Sequence, residues 1–192
     1  MALNAYARPL TDRLALPIAR GLVRIGATPN GLTTFGLVFV LVGLGIALSG
    51  LQGAGAVVMG LATIIDGLDG AVARLRGTDS AFGSFLDSVA DRIADAAIMG
   101  AAAWIVRGDP LMFIVAMIAL ASALITSYIR AKAESLGWHA TVGLVERPER
   151  MVVLILGIGL GFVPLALWLL AMGGLLTVGQ RMRCVMRQAL RS

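Results

Sequence analysis

The chain has 192 residues, of which 58% are hydrophobic and only 14% charged, and its mean hydropathy is +0.89. Because soluble domains carry roughly 25% charged residues, this composition excludes an ordinary soluble protein and indicates a single membrane-embedded domain, residues 1–192. The net charge of +5 comes from basic residues between apolar blocks, which indicates loop charges beside a membrane rather than a nucleic-acid surface.

Residues 1–28 predict an amphipathic helix and not a membrane span. Apolar residues recur at helical spacing, and the charged residues lie off that stripe. The stripe consists of Leu10, Leu14, Ile18, Leu22 and Ile25. Such a helix lies in the plane of the interface with its arginines toward the headgroups. The alternative is a small helix that packs on the rest of the protein.

Six apolar blocks follow, most of them near the ~20 residues that cross a hydrocarbon core. They cover residues 32–50, 54–75, 83–106, 111–134, 148–162 and 164–182. The boundary between the last two rests on the break at Gly161-Phe162-Val163-Pro164. We therefore predict an all-α integral membrane protein in which residues 29–192 form a six-span bundle.

The basic residues predict the orientation of this bundle. All but two of the 16 lie near the termini or in the loops 74–82 and 130–150. Basic loops face the cytoplasm, so both termini and these two loops should be cytoplasmic, which requires an even number of spans. We expect a multi-pass protein of the cell membrane with a cytoplasmic active site.

Four aspartates meet at the cytoplasmic ends of the second and third blocks. Asp66 and Asp69 are three residues apart, and Asp87 and Asp91 are four apart, so each pair should share a helix face. Antiparallel packing of the two blocks would bring the pairs face to face. An intramembrane Asp costs ~2.5–3.5 kcal/mol, and bound Mg²⁺ or Mn²⁺ would offset that cost because hard cations prefer oxygen ligands. A water-filled vestibule of protonated acids is the alternative.

The run DGLDGAVARLRGTDSAFGSFLDSVAD, from Asp66 to Asp91, resembles the signature of the CDP-alcohol phosphotransferases. The positions that carry the resemblance are Asp66, Asp69, Gly70, Ala73, Arg74, Gly83, Asp87 and Asp91. It implies a CDP-alcohol donor such as CDP-diacylglycerol, a homodimer, and two Mg²⁺ or Mn²⁺ ions per site held by the four aspartates. It also gives Asp91 the role of proton acceptor.

The resemblance further implies which residues bind the donor. They are Asn30, Gly31, Leu32, Thr33, Gly70, Arg74 and Ser80. Without it, the turn Thr28-Pro29-Asn30 predicts only a helix cap with Pro29 in the first turn. Arg74 alone would be a positive fork suited to phosphate.

Cationic residues at the predicted cytoplasmic ends of the spans indicate an acceptor substrate that carries negative charge. The alternative is that they are ordinary loop charges. The segments SYIRAKAESLG and GLVERPER resemble the phosphatidylinositol phosphate synthases of actinobacteria, which use inositol 1-phosphate. This resemblance maps an acceptor-phosphate pocket onto Ser127, Arg130, Arg150 and Arg181. That subfamily often has Lys where Arg130 stands, a departure that keeps charge but not geometry. A phosphatidylglycerophosphate synthase, which uses glycerol 3-phosphate, is the alternative.

Outside enzymes, an ion or metal transporter is the main competitor, since intramembrane acids are common in ion paths. The acids of the second and third blocks lie in the cytoplasmic half, and no internal repeat is visible, so the transporter is disfavoured. Asp95 lies one helical turn beyond Asp91 and outside the signature. The sequence leaves open whether it supports the site or makes a structural hydrogen bond.

Overall fold

A computed structural model describes residues 16–78 and 80–190. These residues form helices and no strand, which confirms the all-α class for the described part. Most connections are short, and residues 136–146 form a longer loop. Residues 16–24 are helical and are called α1. The other helices are α2 Pro29–Leu48, α3 Gln52–Asp66, α4 Asp69–Arg76, α5 Ala81–Ile105, α6 Pro110–Ser135, α7 Arg147–Gly159 and α8 Val163–Ala189.

Four stretches are long and apolar enough to cross a membrane. They are Pro29–Leu48, Gln52–Arg76, Pro110–Ser135 and Val163–Ala189. Helices α5 and α7 coincide with the other two predicted blocks, but α5 carries acidic residues and the 13 residues of α7 span only about 20 Å. A multi-pass membrane protein is supported, while the count of six spans stays a prediction.

The helix boundaries follow local sequence signals. The hydroxyl of Thr28 accepts a hydrogen bond from the Gly31 backbone N–H at 3.2 Å, with Pro29 in the first turn of α2. This confirms the predicted cap. The predicted break between the last two blocks is also confirmed, because Gly161 has a φ of +78° between the end of α7 and the start of α8.

The second predicted block, residues 54–75, is interrupted. Asp66 ends α3 and Asp69 begins α4, with a turn at Gly67-Leu68 between them. The backbone N–H of Leu68 donates to the Ile65 carbonyl at 3.0 Å, the tighter i→i−3 pattern that closes a helix. The second block therefore consists of two helices, and Asp66 and Asp69 lie on either side of the turn that separates them. A glycine at this point favours the turn because it weakens a helix interior.

The chain divides into two compact units, Met1–Ala94 and Asp95–Ser192. In the first, Ala19 of α1 is fully buried in a small core with Leu32, Ala71 and Val72. One face of α1 therefore packs on the rest of the first unit, as the alternative to an interfacial helix predicted.

The remainder of the predicted amphipathic stripe has mixed outcomes. Ile18 and Ile25 are exposed, whereas Leu22 packs against the small core. Leu10 and Leu14 lie outside the described residues. Placement of α1 in the membrane interface remains a prediction.

In the second unit, α8 anchors the loop that precedes α7. The Thr177 hydroxyl accepts hydrogen bonds from the backbone N–H groups of Leu144, at 3.2 Å, and Val145, at 3.1 Å. It donates its own proton to the Gly173 carbonyl at 2.8 Å. Because Thr177 is completely buried, this contact fixes the start of α7, which carries Arg147 and Arg150.

Candidate functional site

Three of the four predicted carboxylates converge. Ligand oxygens of Asp66, Asp69 and Asp87 all lie within 4.8 Å of one another, and none of the three residues is fully exposed. This all-oxygen set is of the kind that hard divalent cations such as Mg²⁺ and Mn²⁺ prefer.

Asp91 does not belong to this group of three carboxylates. Its Oδ2 lies 3.3 Å from Nη2 of Arg92, and the Asp91 side chain is 13% exposed. The sequence placed Asp91 with the other three aspartates, and the structure brings only three together. Its ligand role stays a prediction.

Helix α2 forms another wall of the carboxylate cluster. The Thr33 hydroxyl is 2.7 Å from Asp69 Oδ2 and 3.2 Å from the Pro29 carbonyl, so its single proton favours the nearer carboxylate. One turn further on, a Cβ added to Gly36 would lie 3.1 Å from the Cβ of Asp66 and 3.2 Å from its Oδ1. Gly36, which the sequence did not single out, leaves the space that the Asp66 side chain occupies.

A cavity of about 250 Å³ opens beside the carboxylates. It is lined by Pro29, Asn30, Thr33, Asp69, Gly70, Ala73, Thr78, Ser80, Gly83, Ser84 and Asp87. Four predicted donor-binding residues are among them: Asn30, Thr33, Gly70 and Ser80. Its volume is below the ~300–1,000 Å³ of sites for drug-sized ligands, so it fits part of a nucleotide rather than a whole lipid.

The other three predicted donor-binding residues do not line this cavity. Leu32 is 7% exposed and its side chain belongs to the small core with Ala19. The backbone N–H of Gly31 serves the Thr28 cap. Nη1 of Arg74 lies 3.8 Å from where a Cβ on Gly70 would sit, which places its guanidinium beside a cavity residue.

Two lining hydroxyls were missed by sequence reasoning, those of Thr78 and Ser84. For Ser84 a signal existed, because Ser80, Ser84 and Asp87 recur at the i, i+4, i+7 spacing of one helical face. The Ser80 hydroxyl oxygen also accepts a hydrogen bond from the Gly83 backbone N–H at 3.0 Å, as a helix cap does.

The predicted acceptor arginines of the second unit are buried and engaged. Arg150 is 3% exposed, and its Nη2 donates to Asp95 Oδ2 at 2.6 Å. Arg181, also 3% exposed, donates from Nε to the Val142 carbonyl and from Nη1 to the Thr126 carbonyl, both at 2.8 Å. Arg181 therefore clamps the loop before α7 to α6, and its remaining Nη2 lies 3.7 Å from a carboxylate oxygen of Glu146.

The other two predicted acceptor residues are less constrained. Arg130 is exposed and pairs with Glu134 at 2.9 Å. The Ser127 hydroxyl donates to the Ala123 carbonyl at 3.1 Å, and its oxygen lone pairs stay available. Arg130 and Arg150 lie within electrostatic range of Arg181, and these three arginines are called the cationic group.

Comparison with known proteins gives this geometry a context. Residues 26–179 match the family described as CDP-alcohol phosphatidyltransferase. The phosphatidylinositol phosphate synthase of Mycobacterium marinum is 38% identical over 186 residues, covering 90% of this chain and 80% of that protein. The synthase of the same name from Streptomyces avermitilis is 37% identical over 204 residues, covering 97% of this chain and 84% of that protein.

Solved structures show the same likeness. The crystal structure of Mycobacterium tuberculosis phosphatidylinositol phosphate synthase with CDP-diacylglycerol bound has a TM-score of 0.82 and 36% identity, covering 90% of this chain and 94% of that one. The complex of that enzyme with manganese and citrate has a TM-score of 0.83 and 35% identity, covering 90% and 88% of the two chains.

Proposed function

The chain belongs to the CDP-alcohol phosphatidyltransferase family, and from this premise we propose that it transfers the phosphatidyl group of CDP-diacylglycerol to inositol 1-phosphate. The products are phosphatidylinositol phosphate and CMP. The relatives named above support this acceptor by name, and the M. tuberculosis complex supports the donor.

The observation that carries the proposal is the convergence of three carboxylates on a hydroxyl-lined cavity. Oxygens of Asp66, Asp69 and Asp87 lie within 4.8 Å of one another, and two of these residues line the cavity. We assign Asp66, Asp69 and Asp87 as metal ligands, with Asp91 as the fourth. Mg²⁺ or Mn²⁺ would suit this oxygen set, and the two-ion stoichiometry is part of the proposal.

The donor nucleotide would enter the cavity between the start of α2 and the start of α5. Asn30 and Thr33 line one side, while Ser80 and Gly83 line the other. The absence of a side chain at Gly70 lets phosphate approach the backbone beside the Arg74 guanidinium. Gly31 and Leu32 could contribute only through their backbone, because the Leu32 side chain is in the core.

Asp91 would act as general base. It accepts the proton of the attacking hydroxyl while that oxygen bonds to the phosphorus carrying diacylglycerol. The bond from this phosphorus to the CMP oxygen breaks, and CMP leaves. Bound divalent ions would neutralise negative charge on the pyrophosphate and on the departing CMP. General-base catalysis typically raises the reaction rate ~10²–10⁴-fold.

The cationic group of the second unit would bind the acceptor phosphate. Arg150 is assigned to the phosphate because it has an unused donor. Its Nε–H is buried and has no hydrogen-bond acceptor among residues 16–78 and 80–190. Buried donors are normally satisfied, and a phosphate oxygen is the acceptor that this charge prefers. Arg181, Arg130 and Ser127 complete the proposed pocket.

Membrane placement and assembly extend the proposal. Because basic residues flank the four membrane-compatible stretches on one predicted side, we place the protein in the cell membrane with the site and both termini in the cytoplasm. We also propose six spans in one domain, an interfacial α1 and a homodimer. Accessibility labelling of single cysteines from either side would test the orientation, and light scattering in detergent the dimer.

The test is CMP release by purified protein with CDP-diacylglycerol and Mg²⁺. Inositol 1-phosphate, glycerol 3-phosphate and free inositol are offered separately, and chelation should abolish the reaction until Mg²⁺ or Mn²⁺ is restored. Asp87→Asn should remove activity, whereas Asp109→Asn should not, because Asp109 only caps α6 and Asn caps equally well. If only glycerol 3-phosphate supports CMP release, glycerol 3-phosphate is the acceptor in place of inositol 1-phosphate. If none of the three compounds supports CMP release, the proposal is overturned.

A further inference from the structure

Asp95 is the buried charge that the proposed reaction leaves without a role. It is 1% exposed, and its carboxylate faces two arginines of α7. Oδ2 accepts from Arg150 Nη2 at 2.6 Å, and Oδ1 lies 3.8 Å from Arg147 Nε. Asp87, Asp91 and Asp95 recur at helical spacing, yet Asp95 binds guanidinium groups instead of adding to the carboxylate cluster.

We propose that Asp95 is the positioning residue for the acceptor: it holds Arg150 so that the free edge of the guanidinium meets the acceptor phosphate. This inference rests on the proposed function and deepens it. It assigns to Asp95 no contact with substrate and no proton transfer.

The Arg150 guanidinium is oriented through one of its nitrogens. A guanidinium is planar and presents its five N–H groups in a fixed fork, so fixing one nitrogen orients the others. Asp95 occupies Nη2, while the buried Nε–H has no acceptor among the described residues. A tetrahedral phosphate is the kind of ligand that could satisfy this N–H and be held by more than one oxygen.

Asp95 is shared between two arginines of α7. Its single negative charge cannot by itself neutralise both. Arg181 is close enough for the charge of Arg150 to act on it. A fully neutralised group would not attract an anion, whereas one carboxylate shared between two arginines orients Arg150 without cancelling both positive charges.

The alternative is that Asp95 is only a counter-ion, which allows the charged Arg150 side chain to be buried. Asp95→Glu separates the two roles, since it keeps the ion pair but moves the carboxylate by one methylene. Positioning predicts that Asp95→Glu raises the KM for inositol 1-phosphate by about 10- to 100-fold, the size of effect that follows when a residue that orients a metal ligand is changed. The KM for CDP-diacylglycerol should stay within about twofold, since Asp95 contacts Arg147 and Arg150, neither of which lines the donor cavity.

Glu134→Gln is the matched control, because it removes the exposed partner of another arginine of the proposed pocket. Arg130 and Glu134 are each about half exposed, and exposed pairs contribute little. The acceptor KM should therefore change by less than about twofold. An unchanged acceptor KM in Asp95→Glu, or equal increases for both substrates, would overturn the positioning role.

A binding measurement keeps the inference independent of turnover. Inositol 1-phosphate and, separately, inorganic phosphate are added to purified protein, and the shift of the thermal midpoint is recorded. The unsubstituted protein should be stabilised by both, and Asp95→Glu by neither at the same concentrations. Equal shifts in the two proteins, or no shift in either, would refute the inference. If glycerol 3-phosphate proves to be the acceptor, the proposed function fails, while the same comparison with glycerol 3-phosphate still decides the role of Asp95.

Discussion

Thr33 provides the sharpest test of the metal centre. Its hydroxyl donates to Asp69 Oδ2 at 2.7 Å and is 2% exposed, so water cannot readily replace it. Thr33→Val keeps the shape and removes the donor. A hydrogen bond to a charged group is worth ~1.5–3 kcal/mol, so Mn²⁺ affinity should fall by about 10- to 100-fold. The same range holds for partners that orient metal ligands.

The assay is a Mn²⁺ titration of purified protein by calorimetry or electron paramagnetic resonance, followed by CMP release as a function of Mn²⁺. Thr33→Ser keeps the hydroxyl and should bind Mn²⁺ nearly as the unsubstituted protein does. Thr34→Val is the matched control, because the Thr34 hydroxyl only donates to the Asn30 carbonyl at 2.9 Å. Equal Mn²⁺ affinities in all three variants would refute the view that Thr33 orients Asp69.

Two further substitutions test neighbouring features. Asp91→Asn should lower CMP release by at least about 100-fold even at saturating Mn²⁺, because an amide cannot accept the proton of the attacking hydroxyl. Full residual activity at saturating Mn²⁺ would exclude Asp91 as the base. Gly36→Ala should weaken Mn²⁺ binding because the new methyl group would press on Asp66, whereas Gly45→Ala on the same helix meets nothing within 4 Å and should not. Equal Mn²⁺ affinities of the two glycine variants would show that Asp66 needs no such space.

Local signals in the sequence predicted much of the fold. Thr28-Pro29 and Gly161 marked helix boundaries that the structure confirms, because caps and positive φ depend on a few neighbouring residues. The spacing of the aspartates likewise predicted the cluster of Asp66, Asp69 and Asp87. These features could be predicted because they depend on residues that are close in the sequence.

Contacts between distant segments could not be predicted in the same way. Thr33 and Asp69 are 36 residues apart, and Asp95 and Arg150 are 55 apart. Which face of a helix meets which partner depends on how each helix is rotated in the packed unit, and hydrophobic spacing is a poor guide to rotation when nearly every face is apolar. The turn at Gly67-Leu68 was not predicted either, because a single turn within an apolar block does not change the hydrophobic pattern.

The pair of Asp95 and Arg150 allows stability and function to be separated. Removing one partner of a buried pair leaves an uncompensated charge and costs about 3–5 kcal/mol, but replacing both by apolar residues is often neutral or stabilising. We therefore expect the double substitution Asp95→Leu with Arg150→Met to keep the thermal midpoint of the unsubstituted protein or raise it. Mn²⁺ binding at the carboxylate cluster should persist, while turnover of inositol 1-phosphate is lost. A stable double variant with an unchanged acceptor KM would mean that neither stability nor acceptor binding depends on the pair, and it would refute the functional role assigned to Asp95 and Arg150.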